Sequence, residues 1–174
     1  MFKNIVIGLL VLLAIPTLYK GLKYAYGKYN HMEAKSYVGK EVSAVKGTDT
    51  EGNQYNLESY KGKNIVIVFW ASWCGSCIRE IPNVKEYYAA LPKEGDTVFL
   101  SATVDDNVEL ALKTIEKKGI DYPVILDREH PGNGGMFNSH FKITHLPSIW
   151  VIDKQGKIVA ENLSHIDEVS GFLK

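Results

Sequence analysis

Cysteine is almost missing from this chain: only Cys74 and Cys77 occur in 174 residues. A framework of structural disulfides is therefore excluded, and the pair must be explained where it stands. A structural zinc site normally needs four ligands, and no second cysteine pair or paired histidines accompany CGSC. Positive charge is not in excess either. Residues 1–30 hold Lys3, Lys20, Lys23 and Lys28 and no acid, which leaves sixteen bases against twenty acids in the remainder. No basic face for nucleic acid is implied. The glycine-rich HPGNGG, residues 130–135, lacks the Lys-Ser/Thr of a phosphate loop and reads as a turn. Internal repeats and low-complexity tracts are absent, and the length leaves room for one domain of about 140 residues with a core of its own.

A long unbroken apolar run is also lacking. Ile5 to Leu18 is apolar apart from Gly8, Pro16 and Thr17, which is shorter than the roughly 20 residues of a spanning helix. Lys20 and Lys23 can snorkel, while Leu22, Tyr24, Ala25 and Tyr26 prolong the apolar surface. Tyr19, Tyr24, Tyr26 and Tyr29 suit an interfacial aromatic belt. The pattern predicts an uncleaved membrane anchor over residues 1–29, a tether over 30–37 and one domain over 38–174. A cleaved signal peptide is the alternative, though no convincing small-x-small site follows the run. Three lysines after the run against Lys3 before it would, by the positive-inside count alone, leave the domain in the cytoplasm.

What is present reads as alternating strands and helices. Two short strands surround the turn TDTEG, and Ile65–Phe69 is a continuous β-branched run, the mark of a central strand buried on both faces. Ile78, Ile81, Val84, Tyr88 and Leu91 form one stripe of a helix, with Pro82 expected to kink it. Thr97–Val104 predicts a second strand. Asp106 is a candidate cap for a helix with Glu109 three residues on, an apolar stripe of Val108, Ala111, Leu112 and Ile115, and Gly119 as its stop. Tyr122–Leu126 predicts a third strand, and Met136–Ile143 a short helix. Ile149–Ile152 and Ile158–Ala160 predict a hairpin, followed by a closing helix after Ser164 that carries Ile166, Val169, Phe172 and Leu173. The order is that of an α/β fold with a mixed sheet.

In this frame the cysteine pair falls at the first turn of a helix, where unpartnered amides and the macrodipole favour an anion. A thiolate is the anion on offer, and such sites lower a cysteine pKa from about 8.5 to roughly 3.5–7.5. Cys74, nearer the end, is expected to be the more exposed and the more acidic. Helical residues three apart hold their Cβ atoms about 5–6 Å apart, beyond the roughly 3.8 Å of a relaxed disulfide, so the bond requires local adjustment. A pair that cycles between dithiol and disulfide fits this setting better than two inert core thiols, since Gly75 and Ser76 are not packing residues.

The string FWASWCGSC, residues 69–77, with Pro82 five residues later and HLPSIWVIDKQGKIV beyond, resembles the thioredoxin superfamily. In detail it is similar to the membrane-anchored ResA/TlpA type over residues 38–174, by the N-terminal anchor, the strand pair ahead of the motif, Gly62-Lys63 and an extra strand and helix before the proline. The resemblance implies a thioredoxin-like fold, a central mixed β-sheet flanked by helices, with an N-terminal strand pair and a central strand-helix insertion. It implies a thiol-disulfide oxidoreductase with Cys74 as attacking thiol, Cys77 as resolving thiol and Pro147 as a cis-proline that presents Leu146 to an extended polypeptide. It also implies tethering on the outer face of the bacterial cytoplasmic membrane, protein disulfide substrates such as apocytochrome c, an upstream thiol electron donor at the membrane, and no cofactor beyond the redox-active pair.

Departures from the family pattern matter too. Leu146 stands where Thr, Val or Ile is common, and Gly-Ser replaces the usual Gly-Pro or Glu-Pro between the cysteines. Thioredoxins keep a buried acid where Val68 stands, so Glu80, three beyond Cys77, is the candidate proton carrier, with a solvated helix carboxylate as the alternative. Trp70 reads as core and Trp73 as an apolar rim and docking residue. Two other functions stay open: a disulfide-forming oxidant, and a Cu(I) chaperone that uses Cys74, Cys77 and His145. A thiol peroxidase is disfavoured, because Ala71 stands where a Thr-x-x-Cys motif needs threonine.

Overall fold

Strand β3 (Asn64–Trp70) is buried at all seven positions, as its β-branched run predicts. The computed structural model in which it lies describes residues 36–42, 45–126 and 140–173. Contacts divide the chain into two compact units, Met1–Ser36 and Tyr37–Lys174. The expected anchor, nearly all of the tether, the 130–135 turn and the start of the expected 136–143 helix lie outside the described residues. No helix among the described residues is long and apolar enough to cross a membrane.

An antiparallel pair, β1 (Lys46–Thr48) and β2 (Gln54–Asn56), precedes a 3-10 turn at Leu57–Tyr60 and then β3. Helix α1 (Gly75–Ala90), β4 (Thr97–Thr103), α2 (Val108–Lys118) and β5 (Val124–Leu126) follow. The chain closes with β6 (Ser148–Ile152), β7 (Ile158–Leu163) and a 3-10 helix at Ile166–Gly171. The main sheet has the order β5-β4-β3-β6-β7, with β3, β4 and β5 parallel and β6 and β7 antiparallel to their neighbours.

Successive side chains of a strand face opposite sides, and β3 divides its residues between two cores. Val66, Val68 and Trp70 pack on the side that holds Cys77, Val84, Phe99, Tyr122 and Val169. Ile65, Ile67 and Phe69 pack with Leu57, Phe141 and Trp150 on the other. Phe141 joins Trp150 edge to face at 5.0 Å, a favoured aromatic geometry. With both faces covered, the strand's end is fixed, and so is the start of α1.

Several expectations shift by a few residues for local reasons. The cap of α2 is Asn107 rather than Asp106: Asn107 has extended backbone, and its side chain accepts the Leu110 N–H at 3.3 Å. Glu109 consequently falls too early to complete a capping box and pairs on the surface with Lys113. The apolar stripe of α2 is narrower than expected, with Ala111 buried and Leu112 exposed. Gly119 does end α2, at φ 57° in the left-handed region. Pro123 has no N–H to give to a ladder, so β5 begins at Val124 and Tyr122 turns its ring onto Phe99 at 5.3 Å. The closing element is a 3-10 helix: its three-residue turn stacks Ile166 and Val169, both buried, along one edge while Phe172 is partly exposed. Helix α1 runs on through Pro82 to Ala90.

Asn162, in β7, adopts φ 53°, a region asparagine tolerates better than most residues. Its Oδ1 accepts Ser148 Oγ at 2.9 Å and the Thr144 N–H at 3.1 Å, while Nδ2 donates to the Lys142 carbonyl at 3.1 Å. One side chain thus ties the segment before β6 to β7. Replacing Asn162→Ala is expected to destabilise the fold by about 1–2 kcal/mol through lost bonds and backbone strain. A urea midpoint equal to wild type would contradict that role.

Candidate active site

Strand β3 delivers the chain to the site. Its last residue, Trp70, accepts the Val104 N–H at 2.9 Å, and a tight turn follows in which the Cys74 N–H donates to the Ala71 carbonyl at 3.1 Å. Cys74 itself is not helical. At φ −84° and ψ 101° it occupies the cap of α1, and its Sγ accepts the Cys77 N–H at 3.1 Å. The sulfur takes the place usually held by a serine or aspartate oxygen. Cys74 and Cys77 are joined by a disulfide, with Cα atoms 5.3 Å apart. The extended backbone of Cys74 is the adjustment that lets two sulfurs three residues apart meet. Both cysteines are buried, at 6% and 2% exposure, Cys74 being the less buried of the two as its position predicts.

The facing wall comes from the segment before β6. Antiparallel register pairs Val68 with Ile149 and Phe69 with Ser148, which carries Pro147 alongside the end of β3 from which the cysteine turn departs. The Leu146–Pro147 bond is cis. The Leu146 carbonyl accepts Ser76 Oγ at 3.1 Å, so the first turn of α1 is bonded to the cis-proline segment. Between them lies an open groove of about 590 Å³ whose lining includes Trp73, Cys74, Ser76, Val104, His145 and Leu146. Trp73, at 69% exposure, forms its apolar rim, whereas Trp70 is in the core.

Glu80 is buried rather than solvated, at 7% exposure. Its carboxylate accepts the Ile166 N–H at 2.9 Å and Asn83 Nδ2 at 3.1 Å, with His165 Nδ1 at 3.3 Å. These partners lie on α1 and at the start of the C-terminal 3-10 helix, so Glu80 latches that segment to the face of α1 that carries Cys77. His145 is engaged elsewhere, with Nδ1 at 3.2 Å from Thr144 Oγ1 and Nε2 at 3.0 Å from Ser164 Oγ. Among the described residues no three His, Cys, Asp or Glu side chains assemble as a metal site; His145 and Cys74 line the same groove, with the two sulfurs joined to each other.

Two groups near the sulfurs went unrecognised in the sequence. Asp105, 4% exposed, accepts the Ser72 N–H at 2.8 Å, Ser72 Oγ at 2.6 Å and Thr103 Oγ1 at 2.5 Å. It anchors the turn just before Trp73 and Cys74 to the end of β4. Nothing in the string VDDN separates Asp105 from Asp106; only the parallel pairing of β3 with β4 brings it under Ser72. The second group is the Ser76 hydroxyl, 3.3 Å from Cys74 Sγ.

A profile of the Redoxin family matches residues 37–172. The chain belongs to the Redoxin family. It is 32% identical to the thiol-disulfide oxidoreductase ResA of Bacillus cereus over 146 residues, 83% of this chain and 76% of that protein. Among solved structures, it resembles the thioredoxin domain of a thiol-disulfide oxidoreductase from Bacteroides vulgatus, with 26% identity, TM-score 0.67, and coverage of 80% of this chain and 100% of that one. It also resembles a thiol:disulfide interchange protein from Bacteroides sp., with 26% identity, TM-score 0.61, and coverage of 78% of this chain and 89% of that one. This redoxin is thus a ResA/TlpA-like member of the thioredoxin superfamily, with its thioredoxin-like fold, and a thiol-disulfide oxidoreductase.

Asp105→Ala leaves the Ser72 amide and hydroxyl without their acceptor beside the cysteine turn. The expected loss is about 2–3 kcal/mol, read as a lower urea midpoint with an unchanged slope. A wild-type midpoint would show that Asp105 does not hold the turn.

Proposed function

We propose that this redoxin is a membrane-tethered reductant of disulfides in extracytoplasmic partner proteins, apocytochrome c being representative. The observation that carries the exchange chemistry is the Cys74–Cys77 disulfide seated at the cap of α1, against the cis Leu146–Pro147 segment. The apolar run at residues 5–18 and the likeness to ResA/TlpA proteins support the tether and the outer face of the cytoplasmic membrane.

In the reduced protein the Cys74 thiolate attacks one sulfur of a partner disulfide, and the other partner sulfur leaves as a thiolate. The Cys77 thiolate then attacks Cys74 Sγ, closing the intramolecular disulfide and releasing the second partner thiolate. Two electrons pass to the partner, whose two sulfurs take up protons. An upstream thiol donor at the membrane reverses the cycle on this side. The two sulfurs suffice for these steps, and no metal or organic cofactor enters them. Trp73 supplies an apolar rim for the partner, while Leu146 and Pro147 present backbone to an extended segment of it.

Glu80 takes or returns the Cys77 proton in this scheme. Glu80→Gln keeps an acceptor for the Ile166 amide but removes the charge, which separates proton transfer from latching. A slower resolving step at little-changed stability is expected, and exchange rates unchanged across pH would leave Glu80 only its latch.

Cys77→Ala is expected to accumulate mixed disulfides between Cys74 and exported proteins, released by dithiothreitol, whereas Cys74→Ala traps none. Failure to trap any exported protein, or a strongly oxidising potential for the pair, would overturn the reductant reading.

A further inference from the structure

Ser76 has one hydroxyl proton and two acceptors in reach. Its Oγ lies 3.1 Å from the Leu146 carbonyl oxygen and 3.3 Å from Cys74 Sγ. We propose that the Ser76 hydroxyl is a redox-linked switch, held by the Leu146 carbonyl when the cysteines are joined and turned to the Cys74 sulfur when they are reduced. The inference rests on the reading of Cys74 as the attacking thiol.

A disulfide sulfur is a neutral, weak acceptor, so in the oxidised protein the carbonyl holds the proton. Reduction changes the competition. A Cys74 thiolate is charged, and hydrogen bonds to charged acceptors are roughly twice as strong as neutral ones. The move needs only rotation about the Ser76 side chain, because both acceptors already lie within bonding distance of the same oxygen. Ser76 is exposed, so the rotor meets no packing barrier.

Two consequences follow from this one rotation. The thiolate gains a second donor beside the Cys77 N–H, which already stands 3.1 Å from Sγ. At the same moment the Leu146 carbonyl is released into the groove, free to accept an N–H from an extended polypeptide laid across Cys74. Closing the disulfide returns the hydroxyl to Leu146, where it occupies one of the carbonyl's two lone pairs and weakens it as an acceptor for the partner. The substrate class is therefore an extended chain bound by its backbone, held when the redoxin is reduced and let go once it is oxidised. Proline, the residue usual at this position in the wider family, has no hydroxyl and no such switch.

Alkylation of reduced protein with iodoacetamide across pH tests the sulfur side. Ser76→Ala is expected to raise the Cys74 midpoint by about half to one pH unit, and Ser76→Thr, which keeps a hydroxyl, to restore it. A Ser76→Ala midpoint equal to wild type overturns the switch and leaves the Cys74 assignment intact. Faster labelling of Cys77 than of Cys74 in wild type overturns the assignment, and the switch with it. The carbonyl side is tested by titrating S-alkylated insulin B chain, an extended chain with no disulfide to exchange, into the oxidised and reduced proteins. Wild type is expected to bind about three- to tenfold tighter when reduced, and Ser76→Ala to bind both forms alike. Equal affinities of the two wild-type forms overturn the coupling.

Discussion

An α-helix leaves its first amides without partners, and in this redoxin the Cys77 N–H finds its acceptor in the Cys74 sulfur at 3.1 Å. Much of the molecule serves to place that contact. Strand β3 is covered on both faces, so the point at which it releases the chain is fixed. The Ala71 carbonyl then turns Cys74 into the cap position. The same amide and helix dipole that cap α1 favour negative charge on sulfur. Local helix stability and thiol chemistry draw on one interaction.

Around the sulfurs lies a ring of polar contacts, each crossing between elements distant in sequence. Asp105 fastens the turn to β4, Asn162 fastens the cis-proline segment to β7, and Glu80 fastens α1 to the C-terminal 3-10 helix. Buried carboxylates with all their bonds made hold geometry tightly, because leaving any donor unpaired is expensive. Ser76 differs: its hydroxyl is exposed and has two acceptors of unequal strength. A rigid cradle with one free rotor suits a site that must keep its sulfurs in place while alternating between two redox states.

Local periodicity made the strands and helices legible in the sequence, along with the central position of β3 and the placement of the cysteines at a helix start. The cis Leu146–Pro147 bond and its place opposite the cysteines followed from family resemblance rather than from periodicity. Caps were less legible, since choosing Asn107 over Asp106 depends on where backbone dihedrals change and not on residue type. Two of the supporting polar residues were not legible at all. Asp105 and Asn162 act through pairings 33 and 14–20 residues away, and a single sequence does not mark such partners. Glu80 could be assigned to the Cys77 side of its helix, but its bonds to His165 and Ile166 emerge only when the chain's end packs there.

The direct test of sulfur capping is the titration of the Cys74 thiol by thiolate absorbance in the Cys77→Ala variant, which keeps the backbone N–H of residue 77 and leaves Cys74 as the single thiol. Capping by the helix amides predicts a midpoint within roughly 3.5–7.5. A midpoint near about 8.5, that of an ordinary cysteine, would contradict it.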